Sequence, residues 1–241
     1  MTGTRTLRNK AGLLGLLACA LLPLAAAAGS YSVVPVRVQF GPRDRAVAVT
    51  LSNLGDTPIA LTAELYVWEQ NSDGTDRLTP TDDLVLAPGL VRLPAKGQQV
   101  VRLALLRAPD PQTQLTYRMF VREQPDMARA PAGVTIPVSI SMSLPVFITP
   151  PAARWDVECA AKPQAKDMEV RCTNSGTATA LVRSAQVEAG GKVLSKFEGG
   201  AYLLPGASRP IALQPPLAAG SAPAKLTVLF DDDQTTAFEL R

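Results

Sequence analysis

Three arginines lie within apolar, alternating stretches, and they are the side chains best suited to bind a ligand. Arg37 stands between Val36 and Val38, while Arg118 and Arg122 lie four residues apart in YRMFVRE. Most arginines in such positions are solvated on the outer face of a strand. An arginine that lines a cleft instead binds carboxylates, because its planar fork donates two charge-assisted hydrogen bonds. The three are therefore candidate carboxylate receptors.

Catalytic machinery has little support in the sequence. The 241 residues include no histidine, so the commonest general base, the Ser–His and Cys–His pairs and the usual transition-metal ligand are missing. A hydrolase with two carboxylates stays open, although no pattern indicates one. Asp231, Asp232 and Asp233 lack the further oxygen ligands of a calcium site, and a solvated hairpin turn explains them better. We predict no enzyme, no catalytic residue, no cofactor and no metal.

The first 28 residues have the organisation of a secretory signal peptide. A basic start is followed by an apolar run from 11 to 24 and by Ala26-Ala27-Ala28, a cleavage site before Gly29. A retained anchor is disfavoured, because a spanning helix needs about 20 apolar residues. A lipoprotein acylation site at Cys19 matches poorly, since Leu17 is bulky. We predict removal of residues 1–28 and no membrane insertion of the mature chain.

Removal of that segment changes the charge and cysteine arguments. It contains three basic residues (Arg5, Arg8 and Lys10) and no acid, so the 24 basic and 21 acidic residues of the whole chain become 21 of each. This balance gives no support for a nucleic-acid partner. Cys159 and Cys172 remain, and two cysteines in an exported chain indicate a disulfide between neighbouring strands. A zinc site is a weaker alternative, since two thiols without a histidine leave it incomplete.

One long strand must organise the surface that these residues share. In GVTIPVSISMSLPVF, from Gly133 to Phe147, apolar residues occupy every second position: Val134, Ile136, Val138, Ile140, Met142, Leu144 and Val146. A strand places successive side chains on opposite faces, so this period predicts one long half-buried strand. A helical period would scatter the same residues around the whole circumference.

Two prolines in this stretch indicate a sheet edge. Pro137 and Pro145 share a parity, so both missing N–H donors fall on one side of the strand. Proline occurs mainly in edge strands, at strand starts and at bulges. An exposed edge of this length is a template for pairing with another chain. The alternative is an ordinary sandwich strand with a bulge near each proline.

From Tyr31 onward the rest of the chain is predicted to be β as well. Strand-length apolar runs alternate with turn signals about every 8–12 residues, which is typical of a sandwich. The run from Val34 to Phe40 predicts one strand with Val36, Val38 and Phe40 on one face. Pro150-Pro151 divides the chain, and shorter β runs follow. We predict two domains, 29–149 and 150–241.

Several motifs carry a family resemblance. They are VRVQF at 36–40, PAKGQ at 94–98 leading into VVRL at 100–103, and YRMFVREQP at 117–125, followed by the alternating strand 134–147. In this order, behind a signal peptide and before a second β domain, they resemble the periplasmic pilus-assembly chaperones, the PapD-like family of the chaperone–usher pathway. The resemblance covers the mature chain and is strongest in the first domain.

That resemblance implies an all-β fold of two immunoglobulin-like sandwich domains in a boomerang arrangement. It implies a periplasmic chaperone that binds pilin subunits and delivers them to an outer-membrane usher. The long strand would complete an unfinished subunit by donor-strand complementation, in which main-chain bonds give affinity and alternate side chains fill pockets. The donor side chains would be Ile136, Val138 and Ile140, with Val134 and Met142 at the ends.

The family also binds the subunit's C-terminal carboxylate in the cleft between its domains. It uses an arginine on the first strand and a lysine on the donor strand. Arg37 matches the arginine, but the lysine position falls at Leu144-Pro145. The lysine has no match in this chain, so Arg122 and Arg118, on the adjacent strand, are the candidates for its role.

A second family feature, a buried ion pair between the domains, is also incomplete. Glu123 and one of Asp231 to Asp233 match its acidic members, whereas the basic member aligns with Thr149. These departures, the serine-rich donor strand and the cysteine pair are similar to the archaic, spore-coat-like branch of the family.

Two other functions compete with the chaperone. In a two-domain immunoglobulin-like adhesin or structural subunit, the long strand would pair internally and Arg37 would be a surface residue. Such a subunit would carry its own N-terminal donor segment, but the predicted mature start at Gly29 runs almost at once into the first strand. A secreted hydrolase is disfavoured by the absence of histidine. We predict the chaperone.

Overall fold

The computed structural model describes residues 31–124, 139–218 and 224–240. The strands of the first part are β1 (Tyr31–Val34), β2 (Val38–Phe40), β3 (Ala46–Asn53), β4 (Ile59–Gln70), β5 (Asp76–Pro80), β6 (Leu84–Ala87), β7 (Leu90–Leu93), β8 (Gln98–Leu105), β9 (Leu115–Gln124) and β10 (Ser141–Ile148). Those of the second part are β11 (Val157–Gln164), β12 (Asp167–Asn174), β13 (Ala180–Ala189), β14 (Lys192–Leu203), β15 (Ser208–Pro210), β16 (Leu217–Ala218), β17 (Ala224–Phe230) and β18 (Thr235–Leu240). Among the described residues, none belongs to a helix that is long and apolar enough to cross a membrane.

The first ten strands form a sandwich of two sheets. One sheet has the order β1-β3-β8-β6, and the other has the order β2-β10-β9-β4-β5, with β7 also paired to β4. Every second side chain of β3 and β8 points into the space between the sheets, where Val49, Leu51, Val101 and Leu103 are almost completely buried. The period-two alternation thus forms the core that it predicts.

The last eight strands form a second sandwich. One sheet has the order β11-β12-β15, with β16 also on β12, and the other has the order β14-β13-β17-β18. Cys159 on β11 lies directly opposite Cys172 on β12, and the two form a disulfide. The predicted disulfide between neighbouring strands is therefore confirmed, and it lies inside the second core.

The all-β, two-sandwich architecture confirms the predicted fold. The sheets of the first part end at Ile148 and those of the second part begin at Val157. This division agrees with a boundary near Pro150, although the limits 29–149 and 150–241 themselves stay predictions.

The prediction of a single strand from Val34 to Phe40 is wrong. The chain pairs with β3 up to Val34 and then crosses to the other sheet, where it pairs with β10 from Val38 onward. Val38 and Phe40 are buried as expected, but Val36 lies in the crossing and is 74% exposed. The buried positions change from odd (Tyr31, Val33) to even (Val38, Phe40) across the crossing. The exposed Val34 has the same parity as Val38 and Phe40, so the apolar alternation in the sequence could not reveal the change of sheet.

The prediction that the long strand is half-buried along its whole length is also wrong at its C-terminal end. Leu144 and Val146 point into the first core, as the alternation requires. Pro145 and Phe147, on the opposite face, are buried too. Phe147 packs with Leu204 and Ala207 of the second sandwich, so the second domain covers the face that would otherwise contact water.

Hydrogen bonds and packing join the two sandwiches. The Gln70 side-chain amide donates to the Tyr202 carbonyl at 2.9 Å and accepts from the Leu204 N–H at 3.1 Å. Gln114 makes a similar bridge, because its N–H donates to the Thr177 carbonyl at 2.9 Å. These contacts all involve the end of the first domain at which β4 finishes and β9 begins.

Gly74, in the turn between β4 and β5, allows a close approach of the two sandwiches. It has a φ of 88°, in the region that favours glycine. A β-carbon there would lie 2.8 Å from the Arg209 Cα and 2.9 Å from the Pro210 Cδ. The turn therefore docks on β15 only because this residue has no side chain.

We expect Gly74→Ala to lower the free energy of unfolding by roughly 2 kcal/mol or more, because backbone strain and a clash with Arg209 add together. Urea denaturation of the mature protein measures this loss. Gly89→Ala is the matched control, since a β-carbon at Gly89 meets no atom within 4 Å and its backbone is not strained. Equal stability of the two variants would contradict the docking role of Gly74.

Candidate functional site

One side of β10 is an incompletely paired strand edge. β10 pairs with β9 along all eight of its residues, but with β2 only at Val146–Ile148. Within the residues that the structure describes, positions 141–145 therefore have no neighbouring strand on the β2 side. A row of unpaired backbone N–H and C=O groups of this kind is a template for another chain.

Backbone hydrogen bonding shows which side of the strand Pro145 impairs. The Glu123 N–H donates to the Ile140 carbonyl at 3.1 Å. Even-numbered positions of this antiparallel pair therefore bond to β9, and odd-numbered positions such as Ser141 and Ser143 direct their backbone groups to the open side. The N–H that Pro145 lacks is thus missing from the open edge.

Two of the five predicted donor side chains lie among the described residues. Ile140 and Met142 are half-buried and pack against the first core, on the same face as Leu144. The other three predicted donors lie outside the described residues: Val134, Ile136 and Val138. The donor role of all five stays a prediction.

Three aromatic rings pack together where the two sandwiches meet. The ring centroids of Trp68 and Tyr202 are 5.1 Å apart and nearly perpendicular, while Phe147 lies about 6 Å from each of them, at 6.2 and 6.1 Å. Trp68 and Phe147 are completely buried. We call the space around these rings the interdomain cleft, and each candidate arginine can be located relative to it.

The guanidinium of Arg118 lies on this aromatic cluster. Its guanidinium carbon is 3.7 Å from the centroid of Trp68 and 5.5 Å from that of Tyr202. Across residues 31–124, 139–218 and 224–240 it has neither a hydrogen bond nor an ion pair. Burial lowers the pKa of Arg118, because desolvation disfavours the cation, and the negative charge of Asp76 opposes that effect. A desolvated, unpaired guanidinium is well suited to bind a carboxylate.

The sheet register explains how Arg118 reaches this position. It lies directly opposite Pro145 on the neighbouring strand β10. The family resemblance implies a lysine at Leu144-Pro145, so a cation one strand away occupies the same region of the cleft. Facing residues of antiparallel strands have side chains only about 5 Å apart, which makes this substitution of one cation for another geometrically feasible.

Arg37 is already paired with a carboxylate. Its Nη1 donates to Asp231 in the turn between β17 and β18, and its guanidinium carbon lies 5.1 Å from the centroid of Phe147. The predicted carboxylate anchor on the first strand is therefore neutralised by the second domain.

Arg122 lies further along β9, away from the aromatic cluster. It donates to the Glu64 carboxylate at 2.7 Å, and the Tyr66 hydroxyl donates to the same carboxylate at 2.9 Å. Both members of the Arg122–Glu64 pair are about two-fifths exposed, at 41% and 44%. Of the three candidate arginines, Arg118 alone is unpaired among the described residues.

Within the described ranges, Glu123 has no hydrogen bond or ion pair with a residue of the second domain. It lies seven residues beyond Thr116 on β9, about 24 Å along a strand that rises about 3.4 Å per residue. There it approaches Tyr31, whose pKa is raised by burial first and by the charge of Glu123 to a smaller extent. Arg37–Asp231 is an ion pair between the two domains, and the interdomain contact expected of Glu123 stays a prediction.

The acidic turn at 231–233 has structural partners. Asp231 pairs with Arg37, and Asp232 accepts a hydrogen bond from the Trp155 indole N–H at 3.2 Å. In the described part of the chain, no group of three or more histidine, cysteine, aspartate or glutamate side chains is arranged to hold a metal ion.

Sequence reasoning missed Trp68 and Tyr202 as parts of the site. Trp68 shares the parity of Tyr66 on β4, which puts it on the outer face of a sandwich strand. A tryptophan on a face that should contact water is a signal for a covering partner. Tyr202 had no comparable signal, because it belongs to a short alternation that fits an ordinary strand.

Comparison with known proteins identifies the family. Residues 30–154, just over half of the chain, match the family model described as "Pili and flagellar-assembly chaperone, PapD N-terminal domain". No curated protein sequence matches the chain significantly.

Solved structures share the fold over nearly the whole chain. One is the pre-assembly complex of the chaperone CsuC with the tip adhesion subunit CsuE, from archaic chaperone–usher Csu pili of Acinetobacter baumannii (16% identity, TM-score 0.68, covering 88% of this chain and 98% of that one). Others are the E. coli chaperone DraB (20%, 0.59, 88% and 96%) and the Salmonella enterica SafA pilin with the SafB chaperone (17%, 0.57, 89% and 97%).

At these identities the likeness to the solved structures shows the two-domain fold. The family-model match, together with two sandwiches of the expected order, establishes the membership. The chain belongs to the family of pili and flagellar-assembly chaperones that is named after the PapD N-terminal domain.

Proposed function

We propose that the protein is a periplasmic chaperone that captures pilin subunits by donor-strand complementation and delivers them to an outer-membrane usher. The observation that carries this proposal is the open edge of β10, which has β2 beside it only at its last three residues. An immunoglobulin-like subunit that lacks its final strand needs a strand edge of this kind to complete its sheet.

The side chains along that edge support subunit binding. Ile140 and Met142 alternate with exposed serines and continue the apolar face of Leu144 and Val146. In the sequence, the same alternation of apolar residues continues to Val134, Ile136 and Val138. Each such side chain that fills a subunit pocket would contribute about 1.5–3 kcal/mol, so three or four provide most of a stable complex.

The missing N–H at Pro145 would limit unwanted pairing. An odd-numbered proline removes one donor from the open side of β10 while leaving its bonding to β9 intact. We infer that this weakens edge-to-edge association between two free chaperones. A subunit that buries apolar knobs gains enough from side chains to tolerate one missing backbone bond.

The interdomain cleft would bind the subunit's C-terminal carboxylate through Arg118. This arginine is desolvated, held on Trp68 and unpaired among the described residues. It lies opposite Pro145, so a subunit strand aligned along β10 would end close to it. Arg37 and Arg122 both have carboxylate partners, which makes each a weaker receptor in the free protein.

The proposed function places the protein in the periplasm. The predicted signal peptide at 1–28 would direct the chain to the periplasm, where pilin subunits fold and where Cys159 and Cys172 oxidise. The archaic branch is part of this proposal, and CsuC, the chaperone of archaic Csu pili, shares the two-domain fold. Capture and release of a folded strand need no cofactor and no catalytic residue.

Co-expression tests this proposal. A C-terminally tagged protein is expressed with the pilin subunits of its own host, and the periplasmic fraction is purified by the tag. We expect a one-to-one complex with a subunit that is unstable when expressed alone. Recovery of the protein without a subunit, in cells shown to make such subunits, would instead favour an adhesin or structural role.

A further inference from the structure

Asp231 gives the cleft a property that rests on the proposed subunit capture and extends it. We infer that Asp231 is an internal carboxylate ligand of Arg37, and that a subunit's terminal carboxylate must displace it to reach this arginine. Binding at Arg37 and the ion pair between the domains are then mutually exclusive.

The two residues come from different domains. Arg37 lies between β1 and β2 in the first sandwich, and Asp231 lies in the β17–β18 turn of the second, 194 residues further along the chain. The Asp231 side chain is only 16% exposed, and Arg37 Nη1 donates to its Oδ2 atom. A carboxylate fixed in this way supplies what a bound carboxylate ligand would supply, which is a negative charge with lone pairs directed at the guanidinium.

Arg37 has no open edge for a second carboxylate. A bidentate partner needs two parallel N–H groups along one edge of the guanidinium. The Nε atom is buried and has no partner among the described residues, and the Phe147 ring lies against the same group. The Nη1 atom is occupied by Asp231. A second carboxylate beside the first would also place two negative charges against one cation, which is costly away from water.

Replacement of Asp231 by the subunit's carboxylate at Arg37 would couple subunit binding to the contact between the two domains. A ligand that takes Arg37 frees Asp231, and the domains lose the ion pair that joins them at this point. Coupling of this kind is reciprocal, so any event that draws Asp231 away makes Arg37 a better receptor by the same free energy. Arg118, which forms no ion pair among the described residues, would be the first cation to meet an incoming anion.

Acetate is a suitable probe, because it tests the arginines without a subunit. The Nε–H NMR signals of Arg37 and Arg118 are assigned through the Arg37→Lys and Arg118→Lys variants and followed during titration with acetate at constant ionic strength. In the wild type we expect the Arg118 signal to respond at lower acetate than the Arg37 signal. In Asp231→Asn we expect the midpoint for Arg37 to fall at least about tenfold, as it would if the ion pair were formed nine-tenths of the time.

Two variants control this experiment. Asp232→Asn removes a neighbouring carboxylate that contacts Trp155 rather than Arg37, so the Arg37 midpoint should stay at its wild-type value. Asp231→Glu keeps a carboxylate at the position and should also behave like the wild type. It keeps the test decisive if the asparagine variant proves unstable, because Asp231→Ser can then be compared with it at a temperature where both are folded.

Equal Arg37 midpoints in the wild type and in Asp231→Asn would overturn the inference. So would a fall of the same size in Asp232→Asn, which would point to general electrostatics. The outcome is separable from that of the proposed function, since acetate binding needs no subunit. A chaperone that captures subunits but shows equal midpoints would lose only the Asp231 mechanism, and competition by Asp231 without any subunit capture would refute only the chaperone.

Discussion

A folded Val138→Asp variant is expected to lose subunit capture by at least about a hundredfold. Val138 shares the parity of Ile140 and Met142, so in an extended donor strand its side chain enters the apolar groove of the subunit. A carboxylate there must be buried unpaired or protonated, either of which costs several kcal/mol, and every 1.4 kcal/mol is a factor of ten in affinity. Co-purification with the subunit, followed by a binding titration, measures the loss.

Ser141→Asp is the matched control for this variant. Ser141 is exposed, belongs to the opposite face of the same strand and lies directly opposite Arg122. An added carboxylate on this face stays in water near a cation, so we expect capture within a few-fold of the wild type. Melting curves of both variants should match the wild type. Normal capture by a folded Val138→Asp protein would refute the donor-strand assignment.

The sandwich architecture could be predicted because it depends on a local pattern. Alternation in stretches such as Val100–Leu103 places every second side chain in a core, whatever the distant partner is. The Cys159–Cys172 disulfide was predictable for a related reason, since two cysteines 13 residues apart fit opposite each other on neighbouring strands. Local periodicity also located the open strand, but it could not identify which edge Pro145 impairs, because that depends on the bonding of Ile140 to Glu123.

The candidate site was harder to predict because docking of two domains creates it. No local feature of Arg37 indicates a partner 194 residues away, and the same residue type fits a free anchor equally well. The resemblance implies a basic residue at Thr149 as the partner of the acidic turn, whereas in the structure Asp231 pairs with Arg37. Family resemblance therefore identified both positions but assigned them to separate tasks.

The even or odd position of a residue along its strand also indicates which sheet face is covered by the second domain. Trp68, Arg118 and Phe147 all belong to the outer faces of their strands, where a solvated surface is the usual expectation. Two large aromatic side chains on that face would be unfavourably exposed to water, so together they indicate that another surface covers it. Their position favours Arg118 over Arg122 as the arginine of the cleft, because Arg122 has the half-exposed Glu64 nearby and lies away from this aromatic cluster.

Arg118→Ala is expected to weaken subunit binding by about 30-fold or more. Removal of one member of a desolvated charge pair costs about 2–5 kcal/mol, much of it because the partner carboxylate is left buried without a counter-ion. Arg118→Lys should lie between the wild type and the alanine variant, since lysine keeps the charge but loses the planar fork and the stacking on Trp68. Arg122→Ala is the matched control, and its half-exposed pair with Glu64 predicts less than about a fivefold change.

The decisive measurement combines these variants with the subunit's own terminus. A subunit whose C-terminal carboxylate is blocked as an amide should bind the wild-type chaperone more weakly than the unblocked subunit does. The Arg118→Ala variant should bind the blocked and the unblocked subunit equally well. A double-mutant cycle of this kind isolates the Arg118–carboxylate contact, because both changes remove the same interaction. If amidation weakens binding equally in the wild type and in Arg118→Ala, the carboxylate is bound elsewhere. Arg37, released from Asp231, would then be the residue to test by the same cycle, since its guanidinium also lies against a ring of the aromatic cluster.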